Sequence, residues 1–212
     1  MKLALIGHGK MGKIIEQLAL HKGHEIVLTS DSSRRANAAD LRSSGADVAI
    51  EFTNPEVAVE SIFACFEANV PVVIGTTGWY ARLPEVKQRC SESNGALFYA
   101  SNFSLGVNLF FHFNKMVAET MDRFPMYEPH LTEIHHVHKK DAPSGTAITL
   151  AEDLIDRSTK YSEWNNDFET GQGPLGVVSV REDDIPGTHK IVYRSEIDEI
   201  TLEHRAFSRE GF

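Results

Sequence analysis

Short apolar runs alternate with helically spaced apolar residues along the first hundred positions. Lys2–Ile6 reads as a buried strand that runs straight into glycines. Lys10–His21 sets Met11, Ile14, Ile15, Leu18 and Ala19 on one helical face. Ile26–Leu28, Ala46–Phe52, Val70–Ile74 and Ala96–Ala100 supply four more strand-like runs. Asn54-Pro55-Glu56 gives a helix cap, a first-turn proline and an early acid. The helix it opens, Glu56–Ala68, carries Val57, Val59, Ile62, Phe63 and Phe66, and Pro84–Cys90 is a further helix. Ser32–Gly45 holds only Leu41 as a large apolar residue, so it reads as loop or one short helix. Strands alternating with helices imply right-handed crossovers and a parallel, doubly wound sheet of Rossmann type.

The pattern changes after Asn102. Leu105–Met121 is a long apolar helix, Leu131–His138 a strand, and Ala147–Ile155 an amphipathic helix with Ile148, Ala151, Leu154 and Ile155 on one face. Tyr161–Gly176 is polar and contains glycine, hence loop. Val177–Val180, His189–Tyr193 and Ile200–His204 read as antiparallel strands joined by turns at Glu182–Gly187 and Glu196–Glu199. The expected architecture is α/β: a Rossmann-type domain over 1–103, then a mixed α+β domain over 104–206.

Composition narrows the function. The chain has 212 residues, 42% hydrophobic and 24% charged, enough to bury a core without disulfide staples. Net charge is −9, against the basic face that non-specific nucleic-acid binding needs. No apolar run approaches the roughly 18 residues of a membrane span. Cys65 and Cys90 lack CxxC spacing, which fits a reducing compartment; a cytoplasmic protein with no nucleic-acid or membrane partner is expected.

Two segments carry chemistry. Gly7-His8-Gly9-Lys10-Met11-Gly12 follows a strand and opens a helix. Gly7 permits the tight turn, Gly9 lets a pyrophosphate reach the backbone, and Gly12 lets helix and strand pack closely. The anion then meets unpaired N–H groups at the positive end of the helix. Asp31, 19 residues past Gly12, stands where an acid bonds a ribose hydroxyl. Arg34 and Arg35 just beyond it suit the extra phosphate of NADP, so NADH and NADPH both remain open. Gly75, Thr76 and Thr77 end the fourth strand and Ala100, Ser101, Asn102 and Phe103 the fifth, the edge where such sheets bind ligands.

The second segment runs from Glu133 to Thr146. His135, His136, His138, Lys139 and Lys140 concentrate positive charge inside an acidic chain, which points to an anionic ligand. Ser144-Gly145-Thr146 precedes a helix and can cradle a carboxylate. A histidine here can deliver a proton while another group delivers a hydride. On a strand, His136 and His138 would share one face and His135 the other, which makes a zinc set with Glu133 a poor fit and leaves no metal expected. His8, His21, His24, His112, His130, His189 and His204 are scattered and read as surface or packing, while Trp79 and Trp164 read as packing. From these residues alone, another small-substrate dehydrogenase or a non-catalytic nucleotide sensor stays open.

The segment Glu133–Ala147, together with Glu51-Phe52-Thr53-Asn54-Pro55, Gly75-Thr76-Thr77-Gly78, Asn102-Phe103-Ser104 and Gly106-Val107-Asn108, resembles the dihydrodipicolinate reductase family of bacterial lysine and diaminopimelate biosynthesis. The resemblance covers nearly the whole chain. It implies NADH- or NADPH-dependent reduction of a small cyclic dicarboxylate, 4-hydroxy-tetrahydrodipicolinate, and a homotetramer built on the open sheet. It implies His135 as proton donor and Lys139 as stabiliser of developing negative charge. His136, Lys139, Ser144, Gly145 and Thr146 would hold the dicarboxylate. Gly7–Gly12, Asp31, Gly75–Thr77 and Ala100–Phe103 would hold the nicotinamide nucleotide. It also implies that 207–212 begins a C-terminal segment returning to the first domain.

Overall fold

The computed structural model describes residues 1–166 and 174–212, in two compact units, Met1–Ser101 and Asn102–Phe212. In the first unit, β1 (Lys2–Ile6), β2 (Glu25–Ser30), β3 (Val48–Glu51), β4 (Val72–Ile74) and β5 (Leu97–Tyr99) form a parallel sheet in the order β2-β1-β3-β4-β5. The crossovers are α1 (Lys10–His21), α2 (Ala38–Ser44), α3 (Pro55–Ala68) and α4 (Leu83–Glu92). Strand alternation sends Ala4, Ile6, Ala49, Val72 and Ile74 into one core with Leu41 of α2, Ile62 and Phe66 of α3, and Val86 of α4. Strand order reverses between β1 and β3, so ligands are expected above their carboxyl ends.

The ambiguous Ser32–Gly45 stretch resolves into α2. Its single large apolar residue, Leu41, is fully buried. The helix forms because Asn37 and Asp40 make a reciprocal capping box and Gly45 ends it in the left-handed conformation, φ +63°. Polar caps supply what periodicity over seven residues cannot.

In the second unit, α5 (Leu105–Met121) and α6 (Gly145–Ile155) pack on one face of a mixed sheet. The strands are β6 (Glu128–His135), β7 (Trp164–Asn165), β8 (Leu175–Arg181), β9 (Gly187–Arg194) and β10 (Glu199–Ala206), in the order β10-β9-β6-β8-β7. Three expectations are corrected. The strand expected over Leu131–His138 ends at His135, and the chain turns there, with Lys139 N–H donating to the His136 carbonyl. The last three strands are not a simple antiparallel run: β6 inserts between β8 and β9, pairing parallel with the first and antiparallel with the second. The expected loop Tyr161–Gly176 contains β7 and the start of β8; its residues 167–173 lie outside the described ones. No described helix is long and apolar enough to cross a membrane.

Candidate active site

The turn after β1 is built by close backbone approach. Gly7 has φ +99°, and a Cβ there would lie 2.0 Å from the Phe52 carbonyl oxygen. A Cβ on Gly12 would lie 2.1 Å from the Gly7 carbonyl oxygen, so helix and turn share van der Waals space only because both side chains are absent. Gly9 differs: nothing lies within 4 Å of its would-be Cβ, and its φ is −80°. It caps α1 without a side-chain hydrogen bond, which leaves the first N–H groups of the helix for an incoming anion.

A 410 Å³ cavity opens at this turn. It gathers Gly7, His8 and Gly9, Asp31 with Ser32 and Arg35, and Phe52, Thr53 and Asn54. These are the carboxyl ends of β1, β2 and β3, where the strand order reverses. Lys10, Met11 and Gly12 belong to the start of α1 and do not line it. His8 is occupied by Glu16, 2.8 Å away across one face of the helix. Asp31 is held below the ordinary carboxylate range by the Ser33 hydroxyl, then by the N–H groups of Ser33 and Arg34. All three donate to Oδ1. A nucleotide fits these features: an uncapped helix start, open space at Gly9 and an ionised acid at the far end.

The Gly75–Thr77 turn lies beside this cavity's wall. Thr53 N–H donates to Thr76 Oγ1 at 2.7 Å, and a Cβ on Gly75 would overlap the Phe52 ring at 2.1 Å. Trp79 packs in the core as expected, and its indole N–H also fixes the Thr76 carbonyl at 2.8 Å. Beneath both turns sits Glu51, fully buried, bonded by the Thr53 hydroxyl; burial pushes its carboxyl up despite contacts from Thr53 and Thr76. Ala100 and Ser101 close the first unit, whereas Asn102 and Phe103 open the second.

The second unit's site comes from three strands that change character at the same height. On the face toward α5 and α6, Leu131, Val177 and Ile191 pair across β6, β8 and β9. One step on in the alternation the neighbours are Glu133, Ser179 and His189. The next step brings His135 opposite Arg181. An apolar core thus ends in a row of buried polar groups. Glu133 Oε2 lies 3.1 Å from His135 Nδ1 and 3.9 Å from His189 Nε2, while Arg181 donates to Oε1 at 3.0 Å. The His135 and His189 rings meet edge to face, centroids 5.1 Å apart. Burial and His135 push His189 down to about 3, so it is neutral. A Cβ on Gly187 would stand 2.9 Å from His135 Nε2, so the glycine leaves room beside that nitrogen.

Glu133, His135 and His189 are the one group among the described residues with metal-ligand proximity, their atoms within 4.8 Å of one another. This is not the set weighed from sequence, because His136 and His138 lie past the end of the strand. Arg181 already compensates the buried carboxylate, which favours proton handling over metal ligation. His189, expected to be packing, bonds Ser144 Oγ at 3.2 Å; its signal was its register opposite Glu133, which no single segment reveals. Arg181 and Gly187 were missed for the same reason.

Ser144 caps α6, accepting from Ala147 N–H at 3.2 Å, so the helix starts at Gly145 rather than Ala147. Asn102 Nδ2 donates to Thr146 Oγ1 at 3.3 Å, which joins Asn102 to this cradle. Lys139 Nζ holds both Asp141 carboxylate oxygens at 2.8 Å. His136 anchors its turn through N–H to the Ile185 carbonyl at 2.9 Å, half-buried.

Comparison with known proteins adds a family. Residues 1–103 match the domain family described as dihydrodipicolinate reductase, N-terminus, and residues 106–212 the one described as dihydrodipicolinate reductase, C-terminus. The chain is 41% identical over 212 residues to the 4-hydroxy-tetrahydrodipicolinate reductase of Christiangramia forsetii, covering all of this chain and 87% of that one. It is 30% identical over 206 residues to the reductase of Rickettsia rickettsii, covering 96% and 84%. A dipicolinate-bound dihydrodipicolinate reductase from Paenisporosarcina sp. TG-14 shares the fold with a TM-score of 0.75 at 24% identity, covering 100% and 90%.

Proposed function

The chain belongs to the dihydrodipicolinate reductase family, an NAD(P)H-dependent oxidoreductase of lysine and diaminopimelate biosynthesis, and from that premise we propose how its residues divide the reaction. The pyrophosphate rests on the N–H groups at Gly9, Lys10 and Met11, with Gly7 and Gly12 keeping the turn tight. Asp31 Oδ2 takes a ribose hydroxyl, and Arg35 takes the added phosphate of NADPH. Gly75, Thr76, Thr77, Ala100, Ser101 and Phe103 serve the nicotinamide end. When bound, the reduced nicotinamide supplies the hydride.

The substrate is 4-hydroxy-tetrahydrodipicolinate, and the product tetrahydrodipicolinate. One carboxylate takes the place of Asp141 on Lys139 and enters the Ser144–Thr146 cradle, where Asn102 and His136 bear on it. The ring hydroxyl leaves as water together with a proton from the neighbouring carbon, which makes a carbon–carbon double bond conjugated to the imine. Hydride addition to the far carbon of that double bond then leaves an enamine-like anion. His135 gives its Nε2 proton to the neighbouring carbon, and Lys139 with the α6 N-terminus stabilises the charge before transfer. A positioned acid is worth about 10²–10⁴ in rate. The observation that carries this reading is the buried His135 beside an ionised Glu133, at the head of an anion cradle.

His135→Gln and Lys139→Ala test it. Each should cut kcat by about 10²–10⁴ while the NADH dissociation constant stays within about twofold. Unchanged turnover in both variants removes the assigned roles. The exposed side chains of the edge strand β10 support a homotetramer as the assembly, and two free cysteines support a cytoplasmic setting. Sedimentation at micromolar concentration gives four chains on this reading and one on the contrary reading.

A further inference from the structure

We infer that Glu133, clamped by Arg181, is the positioning residue of His135: it keeps a proton on Nδ1 and so commits Nε2 to the substrate. The inference rests on His135 being the proton donor.

The argument begins with a cost. Glu133 is fully buried, and a carboxylate in that environment needs a cation or several donors. Arg181 supplies the cation through Oε1 at 3.0 Å, and it is itself fixed by bonds to the Val180 carbonyl at 2.7 Å and the Asp141 carbonyl at 2.6 Å. That geometry takes one carboxylate oxygen and orients the other. Oε2 then faces His135 Nδ1 at 3.1 Å, an ion-pair distance that approaches off the hydrogen-bond line. Such contacts tighten when substrate binds.

Charges facing this pair come from every neighbouring element. β8 contributes Arg181, β9 His189, β10 His204, and the turn before α6 contributes Lys139 paired with Asp141. Burial holds His189 neutral and lowers His204, so neither competes for Oε2 as a cation. Lys139 is taken by Asp141. Of the groups around Oε2, the ring of His135 is thus the one left to pair with the carboxylate. An anion fixed at Nδ1 selects the Nδ1–H tautomer and stabilises the imidazolium, as the buried carboxylate does in hydrolase triads. Arg181 links the two halves of the site: the same guanidinium that aims Glu133 holds the Asp141 backbone, next to the Lys139 that stabilises charge.

Glu133→Gln keeps the shape and one acceptor but removes the charge. The expected result is an alkaline limb of the kcat/KM profile moved to lower pH by about one unit, hence roughly tenfold lower activity at pH values above the wild-type limb, with activity recovering at acid pH and NADH affinity unchanged. An unmoved limb overturns the inference. Nitrogen-edited NMR of the His135 ring in the wild-type chain decides the matter even where the variant fails to fold. A proton on Nδ1 above the titration supports the inference, and a proton on Nε2 alone overturns it. His135→Gln separates the two layers. Retained turnover there sinks the donor assignment; lost turnover with an unmoved Glu133→Gln profile sinks the positioning role alone.

Discussion

Replacing Gly9 and Gly12 separately by alanine distinguishes a binding glycine from a packing glycine within one motif. An alanine at 12 puts its methyl 2.1 Å from the Gly7 carbonyl oxygen, about 1 Å closer than any tolerated contact, and the obstacle is backbone rather than a flexible tip. Overpacking of this kind costs about 1–3 kcal/mol. At roughly 2–4 °C per kcal/mol for a chain of this size, the melting temperature falls by about 2–12 °C. An alanine at 9 meets nothing within 4 Å and has an ordinary φ, so the melting temperature should stay within about 1 °C. Its methyl occupies the space through which a pyrophosphate reaches the helix N-terminus. Losing even one such contact reduces NADH affinity about tenfold, or 1.4 kcal/mol. Thermal melts with and without NADH, plus a fluorescence titration, read both quantities. Wild-type NADH affinity in the Gly9 variant, or equal destabilisation by both variants, refutes the assignment of this turn.

Two further outcomes follow from named contacts. Arg35→Ala should weaken NADPH at least fivefold more than NADH, because Arg35 lines the nucleotide cavity while the neighbouring Arg34 faces Asp40 at 3.7 Å; equal losses in paired titrations would count against the phosphate role. Burial raises the Glu51 carboxyl above its ordinary 4.5, so the folded chain binds that proton more tightly than the unfolded one. Stability is then lost as pH climbs from 4.5 through the folded value, and Glu51→Gln, which cannot ionise, should gain melting temperature relative to wild type between pH 5 and pH 8. A relative loss over that range contradicts the reasoning.

Part of the first unit is legible in the sequence because β1 is buried along four of its five residues and α1 and α3 each carry five spaced apolar residues. Lys2–Ile6 and Lys10–His21 there, and Leu105–Met121 in the second unit, stand in the chain where the pattern sets them. Legibility fails where the determinant is nonlocal or polar. α2 is held by the Asn37–Asp40 box around one leucine. The strand β6 stops at His135 although Val137 continues the alternation, because beyond His135 the backbone bonds to 183–185 instead of a ladder. The motif names His135, Lys139 and Ser144, which are contiguous in a short segment. It cannot name Arg181, Gly187 or His189, which reach the same site only because β8 and β9 flank β6.

The most direct measurement is a crystal structure of the full chain with NADH and pyridine-2,6-dicarboxylate, a planar mimic of the substrate. The account predicts one carboxylate on the N–H groups of Ser144–Thr146, Lys139 turned from Asp141 onto the ligand, and His135 Nε2 within hydrogen-bond reach of the ring edge. A ring bound away from His135, with the Lys139–Asp141 pair intact, contradicts it.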